Sequence, residues 1–432
     1  MSHRIVVVGG GAGGLELATR LGRKLGRSGK AEITLVDAQM THVWKPLLHE
    51  VAAGALSVTD NELNFLAQAK WNHFNFQLGR LCGIDRARRE IRLAPLVDDK
   101  GAEIVAARLI GYDTLVIAIG STTNDFGTLG AAEHCVFLDT TQQAERFHRQ
   151  LLQHYVTAHA LRDSDSQVSI AIVGAGATGV ELAAELRHTA TQLVNYGLDG
   201  IQPTNMRITL VEAGPRVLPA LSERVSDSVV EGLRKIGVEV RTATKIEQVR
   251  ADALLTDGGE LIPASLKVWA AGIRAPAFLR DMDGLETNRL NQLKVGTTLQ
   301  TTADGNIFAF GDCAAAPRGD GTDALVPPRA QAAHQQAVLL AKSLAARLDG
   351  KAPLTYRYQD FGSLVSLSRF NAVGELMGNL LGDVNLSGWL ARMLYISLYR
   401  MHQVALYGSA RAVLRIAGDY ISRRTSPRLK LH

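Results

Sequence analysis

The stretch at residues 5–16, IVVVGGGAGGLE, constrains this chain more than any other. Residues 5–8 are a short β-branched run of the kind that fills a fully buried parallel strand. The run stops at a glycine cluster in which Gly9, Gly11 and Gly14 stand at G-x-G-x-x-G spacing, and residues 15–21 continue as a helix. Glycine at the first position permits the tight turn, at the second it lets backbone approach a pyrophosphate, and at the third it lets helix lie on strand. The helix start then offers free N–H groups and the positive end of its dipole to phosphates. A second strand at 32–36 ends in Asp37, placed to accept hydrogen bonds from a ribose diol.

The plan recurs. Residues 168–173 are again a β-branched run, Gly174, Gly176 and Gly179 repeat the fingerprint before a helix at 180–188, and a strand at 207–211 ends in Glu212. The gap from glycines to acid exceeds the usual ~20 residues, and 192–203 reads as an inserted loop that explains it. Two apolar strands, YDTLVIAIGS at 112–121 and LKVWAAGI at 266–273, each end at a glycine-containing turn. A third, TTADGNIFAFGD at 301–312, returns after the second fingerprint. The expectation is an α/β chain of two Rossmann-like dinucleotide-binding domains, the second inserted in the first. Its boundaries are 1–125 for the first part of one domain, 126–165 for a linker helix, 166–280 for the inserted domain, 281–348 for the return segment and 349–432 for a C-terminal region.

Single residues sharpen the chemistry. A carboxylate at Glu212 accepts both ribose hydroxyls and repels a 2′-phosphate, which favours NADH over NADPH, with Arg216 as the counter-signal. Asp312 closes a strand where a carboxylate can bind a polyol chain, which a flavin has. Glu181 reads either as an acid stabilising the helix dipole or as a group near a nicotinamide. Gln331 and Gln335 lie one turn apart on one helix face, beside the small residues Ala330, Ala332 and Ala333 that let a flat ring approach. Residues 77–84 and 88–93 read as short strands of an inserted sheet, and 140–161 as a helix.

Charge is uneven. The net charge is +5 over 432 residues, but from Gly388 onward eight basic residues face one acid, Asp419, so the rest of the chain is slightly acidic. In 389–432 the residues Leu390, Met393, Leu394, Leu398, Met401, Val404 and Ala405 gather on one helical face, opposite Arg392, Arg400 and Gln403. A second amphipathic stretch follows Gly408. This suits helices lying in the surface of an anionic bilayer; the competing use is packing on the protein body or on a second copy in a homodimer. Without a basic patch outside the tail, nucleic acid is not an expected partner. The cysteines Cys82, Cys135 and Cys313 are far apart and form no metal pattern, so no metal is expected. The first strand begins at about Arg4, no signal peptide is expected, and no window reaches the length of an apolar membrane span.

Together the two fingerprints, the strands ending AIGS and AAGI, and FAFGD resemble the two-dinucleotide flavoprotein superfamily. HVWKPLLHEVAAG, AQAAHQQA and the basic tail are similar to type II NADH dehydrogenase, the single-chain NADH:quinone oxidoreductase of respiratory membranes. The resemblance implies non-covalent FAD held by Gly9, Gly11, Ala12, Gly13, Gly14, Asp37, Gly120, Asp312, Ala330 and Gln331. It implies NADH bound by Gly174, Gly176, Gly179, Glu212 and Gly272, with Glu181 catalytic near the meeting of nicotinamide and flavin. Gln331 and Gln335 would line a membrane quinone. It further implies a peripheral protein on the cytoplasmic side of the inner (cytoplasmic) membrane that pumps no protons. Where the family often has an aromatic residue in its PLL-Y-E pattern, this chain has His49. The alternatives are a sulfide:quinone oxidoreductase, which needs Cys135 and Cys313 converging on the flavin, and a flavin-dependent NADH reductase of a protein electron carrier.

Overall fold

The computed structural model describes residues 2–161, 167–198, 201–361, 363–367, 371–376, 384–387, 400 and 403–425. The elements used below are, in chain order, β1 (His3–Val8), α1 (Ala12–Leu21), β2 (Ala31–Asp37), α2 (Leu48–Ala52), β3 (Asn75–Leu78), β4 (Thr114–Ile117), β5 (Val136–Phe137) and α3 (Thr141–Leu161). They continue with β6 (Val168–Val173), α4 (Ala177–Asn195), β7 (Met206–Val211), β8 (Val238–Arg241), β9 (Leu266–Trp269), β10 (Ile307–Ala309), α5 (Ala330–Leu348) and α6 (Ser409–Thr425).

The chain divides into two compact units, residues 1–44, 62–122 and 273–359 in unit 1 and residues 45–61, 123–272 and 360–432 in unit 2. Several segments fall differently from the sequence-based boundaries, among them residues 273–280 and 349–359, which belong to unit 1. Residues 45–61 and the helix α3 both belong to unit 2. There α2 packs on α3 and α4, and Thr189 Oγ1 donates to the Ala53 carbonyl at 2.8 Å.

Unit 1 is built on a parallel five-stranded sheet in the order β10-β4-β1-β2-β3. The central strand β1 is in register with both neighbours, Val7 opposite Val116 on one side and Leu35 on the other. Sheet neighbours and helices cover it on all sides, which is why Ile5, Val6, Val7 and Val8 are all buried; each such side chain contributes about 1.5–3 kcal/mol. The stretch expected as one strand at 77–84 is two. Asn75–Leu78 pairs with β2 in parallel, whereas Leu81–Asp85 pairs antiparallel with Glu90–Leu93 in a separate small sheet. The break is at Gly79, whose N–H donates to the Asp37 carbonyl at 2.8 Å and ends the parallel pairing.

Unit 2 repeats the arrangement in the order β5-β9-β6-β7-β8. It carries its own antiparallel three-stranded sheet, Ile246–Val249, Ala253–Thr256 and Leu261–Pro263. The helix α4 runs to Asn195, beyond the expected end at 188 and into the segment expected as a loop. Its apolar stripe persists there, with Ala190 and Leu193 buried. The β9 strand stops at Trp269 and not at 273.

The C-terminal region contains strands Ser363–Leu367, Asn371–Leu376 and Val384–Ser387, which pair antiparallel. They precede the tail and carry no helical pattern. Most of the first amphipathic stretch, with Leu390, Arg392, Met393, Leu394, Leu398 and Met401, lies outside the described residues. The second is α6, entered through Gly408 at φ +80°. Among the described residues, no helix is long and apolar enough to cross a membrane.

Candidate dinucleotide sites

In unit 1, Gly9 sits at φ +101° where β1 turns into α1, and a Cβ there would stand 2.5 Å from the Ala118 carbonyl oxygen at the end of β4. The third glycine, Gly14, lies against the Gly9 carbonyl, so helix and strand meet closely only because Gly14 has no side chain to collide with that oxygen. Gly11 is the N-cap of α1, extended at ψ −175°, and Ala12 and Gly13 open the helix. A Cβ on Gly11 or on Gly120 would have no atom within 4 Å, which leaves room for a ligand's backbone and ring edge. The Asp37 carboxylate accepts from the Gly10 N–H at 2.5 Å and the Gln39 N–H at 2.8 Å. Burial pushes this carboxyl's pKa up, against the backbone N–H groups of Gly10, Gln39 and Ala38 that pull it down. Each oxygen keeps a further lone pair, enough for a ribose diol.

Asp312 lies in the turn after β10. Ser121 Oγ donates to its Oδ2 at 2.8 Å, and Gln292 Nε2 donates to its main-chain carbonyl at 2.9 Å. Ala330 and Gln331 form the first turn of α5. Gln335, expected beside Gln331 as a ligand residue, exchanges two hydrogen bonds with the backbone of Gln359, donating from Nε2 to its carbonyl at 2.7 Å and accepting its N–H at 3.1 Å.

Unit 2 repeats the three glycines 165 positions later and the strand-end acid 175 positions later. Gly174 is at φ +103° against the backbone of Ala270 and Ala271, Gly179 lies on the Gly174 carbonyl, and Gly176 caps α4 at ψ −175° with open space beside it. Glu212 accepts from Ala175 N–H and Gly214 N–H, both at 2.8 Å, as Asp37 does from Gly10 and Gln39. Arg216 turns away, donating to the Pro219 carbonyl at 2.9 Å. Gly272 is at φ +66°, with the Phe126 ring against its α-carbon.

Glu181 is buried on α4, with His49 Nδ1 of α2 at 3.5 Å from its Oε2. Burial lowers the His49 imidazole to about 4, so it is neutral at pH 7. Sequence reading assigned His49 no role and missed the equivalent residue in the first repeat, Glu16. That carboxylate is fully buried on α1; Arg20 Nε donates to its Oε1 at 2.7 Å and His334 Nδ1 lies 2.7 Å from its Oε2. The 165-residue offset would have found it, because Glu16 maps onto Glu181. Gln336, also missed, is buried and accepts the Gly311 N–H at 2.8 Å. Cys313 is buried, its Sγ 3.3 Å from the Phe310 carbonyl oxygen, and burial pushes the thiol up to about 12. Cys135 is likewise pushed up to about 12 by burial. Among the described residues no cluster suits a metal ion.

The family model of pyridine nucleotide-disulphide oxidoreductases matches residues 3–337. The chain is 48% identical to the type II NADH:quinone oxidoreductase of Haemophilus influenzae, over 99% of this chain and 99% of that one. It is 27% identical to the type II NADH:quinone oxidoreductase of Mycobacterium tuberculosis, over 98% of this chain and 89% of that protein. Among solved structures, NDH2 from Plasmodium falciparum in complex with NADH matches with a TM-score of 0.82 at 18% identity, covering 100% of both chains. The sulfide:quinone oxidoreductase of Aquifex aeolicus matches with a TM-score of 0.73 at 18% identity, covering 94% of this chain and 92% of that one. At these identities the structural likeness speaks for the fold, while the full-length sequence match speaks for the lineage. The chain belongs to the pyridine nucleotide-disulphide oxidoreductase family and, within it, to the type II NADH:quinone oxidoreductases.

Proposed function

We propose that this chain oxidises NADH and reduces a membrane quinone through a non-covalently bound FAD, without pumping protons. The observation that carries this reading is the duplicated cradle, in which a half-buried acid, Asp37 or Glu212, is held by two backbone N–H groups beside a glycine turn. A chain that builds this twice is equipped for two dinucleotides. FAD held by these residues would supply two-electron redox chemistry between NADH and a quinone.

The protein's own contributions are binding, alignment and proton handling. Gly9, Gly11, Ala12, Gly13, Gly14 and Asp37 bind the adenosine and pyrophosphate of FAD, and Gly120, Asp312, Ala330 and Gln331 its ribityl and ring side. Gly174, Gly176, Gly179, Glu212 and Gly272 bind NADH; Glu212 repels a 2′-phosphate, and Arg216 is engaged with Pro219. Quinone reduction consumes protons, and Glu181 is the residue we assign to hold one. Its neighbour one turn on is Glu185, also buried. Gln331 faces the quinone in this reading.

For membrane association we assign α6, where exposed Val413 and Leu414 lie between Arg411 and Arg415. That combination suits an anionic bilayer surface on the cytoplasmic side. The sulfide:quinone alternative is disfavoured because Cys313 is buried and burial raises both the Cys135 and the Cys313 thiols, whereas sulfide chemistry needs thiolates.

The test is stopped-flow absorbance of the purified, flavin-loaded protein. Fast bleaching by NADH but not NADPH, followed by fast reoxidation with a soluble quinone, is the expected result. Bleaching without reoxidation by quinone would move the acceptor to a protein electron carrier.

A further inference from the structure

Three consecutive side chains of α5 reach three separate parts of unit 1. His334 meets Glu16 on α1 at 2.7 Å. Gln335 exchanges hydrogen bonds of 2.7 and 3.1 Å with the backbone of Gln359, where the chain leaves unit 1. Gln336 accepts the Gly311 N–H at 2.8 Å, inside the turn that carries Asp312. Successive residues of an α-helix are 100° apart, so three anchors in a row span about 200° of the circumference. An attachment of that breadth resists sliding, rolling and tilting together.

We propose that His334, Gln335 and Gln336 form a three-point mount that sets the first turn of α5, and that Gln335 is a positioning residue within it. This rests on the reading above that Ala330 and Gln331 in that turn meet flavin and quinone.

Each anchor satisfies a group that needs a partner. Glu16 is a buried carboxylate and requires the pairing that Arg20 and His334 provide. Gly311 stands at φ +72° outside any ladder, and its N–H is taken by the buried Gln336 carbonyl. An amide has one carbonyl and two N–H donors, and Gln335 has its carbonyl and one donor engaged on Gln359. The mount therefore ties the adenosine-side helix, the Asp312 turn and the exit of the chain to one helical turn. A displacement of about 1 Å of that turn is enough to misalign an electron acceptor.

The test combines hydrogen-exchange mass spectrometry with stopped-flow half-reactions on the full-length, FAD-loaded protein, comparing wild type with Gln335→Met and Gln336→Met. A mount predicts several-fold faster amide exchange at Gln359 in Gln335→Met and at Gly311 in Gln336→Met. Both variants should reoxidise several-fold more slowly with a short-chain soluble quinone, with their reduction by NADH within twofold of wild type. A residue with a merely structural role would instead lose flavin and slow both half-reactions together. Should Gln336→Met fail to load flavin, Gln335→Met decides alone, since its side chain is only half-buried. Slower reoxidation with unchanged exchange at Gln359 would make Gln335 a direct quinone contact and overturn the proposal. So would random-coil exchange of the Gly311 and Gln359 amides in the wild type. Failure of wild-type reoxidation by quinone would instead overturn the acceptor assignment, with the exchange data still deciding the mount.

Discussion

His49 Nδ1 lies 3.5 Å from Glu181 Oε2, with both side chains inside unit 2. The first repeat has the same kind of pair, Glu16 with His334, but the surroundings differ one turn along the helix. Beside Glu16 stands Arg20, bonded to it; at the equivalent position beside Glu181 stands the acid Glu185. Glu16 is thus paired with the Arg20 guanidinium and contacts His334, partners that hold it in the fold. Glu181 has the neutral His49 imidazole at 3.5 Å and the buried Glu185 one turn on, and the proton-holding role proposed for it rests on that difference.

Glu181→Gln tests that assignment. Loss of a general acid–base group costs roughly 10²–10⁴-fold in rate, so turnover with NADH and quinone should fall by at least tenfold. The NADH dissociation constant should change far less. Steady-state and stopped-flow kinetics separate the two, and unchanged turnover would end the proton-holding role.

Acid stability reports on the buried imidazoles. Burial lowers His49 in unit 2 and His42 in unit 1 to about 4, against about 6.5 in an unfolded chain. The unfolded state therefore binds more protons between these values. The contribution of each histidine to stability is complete above about pH 6.5 and is lost as pH falls toward 4, by at most about 3 kcal/mol each. Calorimetric melting between pH 7.5 and 4.5 should show a shallower pH dependence in His49→Gln than in wild type. An identical slope would show that His49 is not held neutral.

Glu212→Ala leaves the Ala175 and Gly214 N–H groups without their carboxylate and removes the ribose acceptor. With about 1–3 kcal/mol for each lost pairing, the KM for NADH should rise at least tenfold and discrimination against NADPH should shrink. FAD content should remain at the wild-type level, because Asp37 is untouched. A KM unchanged within twofold would remove Glu212 from the NADH site.

Leu414→Glu places a charge on the exposed apolar patch of α6. Sedimentation with vesicles containing anionic lipid should show at least tenfold weaker binding than wild type. Arg411→Gln should show a weaker, salt-sensitive loss, in line with about 1 kcal/mol per basic residue. Full binding by Leu414→Glu would place the lipid contact elsewhere in the chain.

Much of this protein is decided by short-range pattern. The β-branched runs at residues 5–8 and 168–173, the glycine spacings after them, and Asp37 and Glu212 at the strand ends specify two dinucleotide folds. Each of these choices acts within a few residues or one βαβ unit, where sterics alone forbid alternatives. Helix and strand limits were less legible, as at Gly79 and at the end of α4, because tertiary packing decides where pairing stops. Of the partners of the buried charged groups, only Arg20, one turn from Glu16 on the same helix, stands at a spacing the sequence makes legible. Glu16 and His334 are 318 residues apart, and no periodicity links them. Gln335 and Gln331 look alike on a helical wheel, and only the course of the chain to Gln359 separates an amide engaged on backbone from one assigned to the acceptor. Local sterics settle the fold, whereas long-range hydrogen bonding, which depends on where the folded backbone returns, settles the role of each polar side chain.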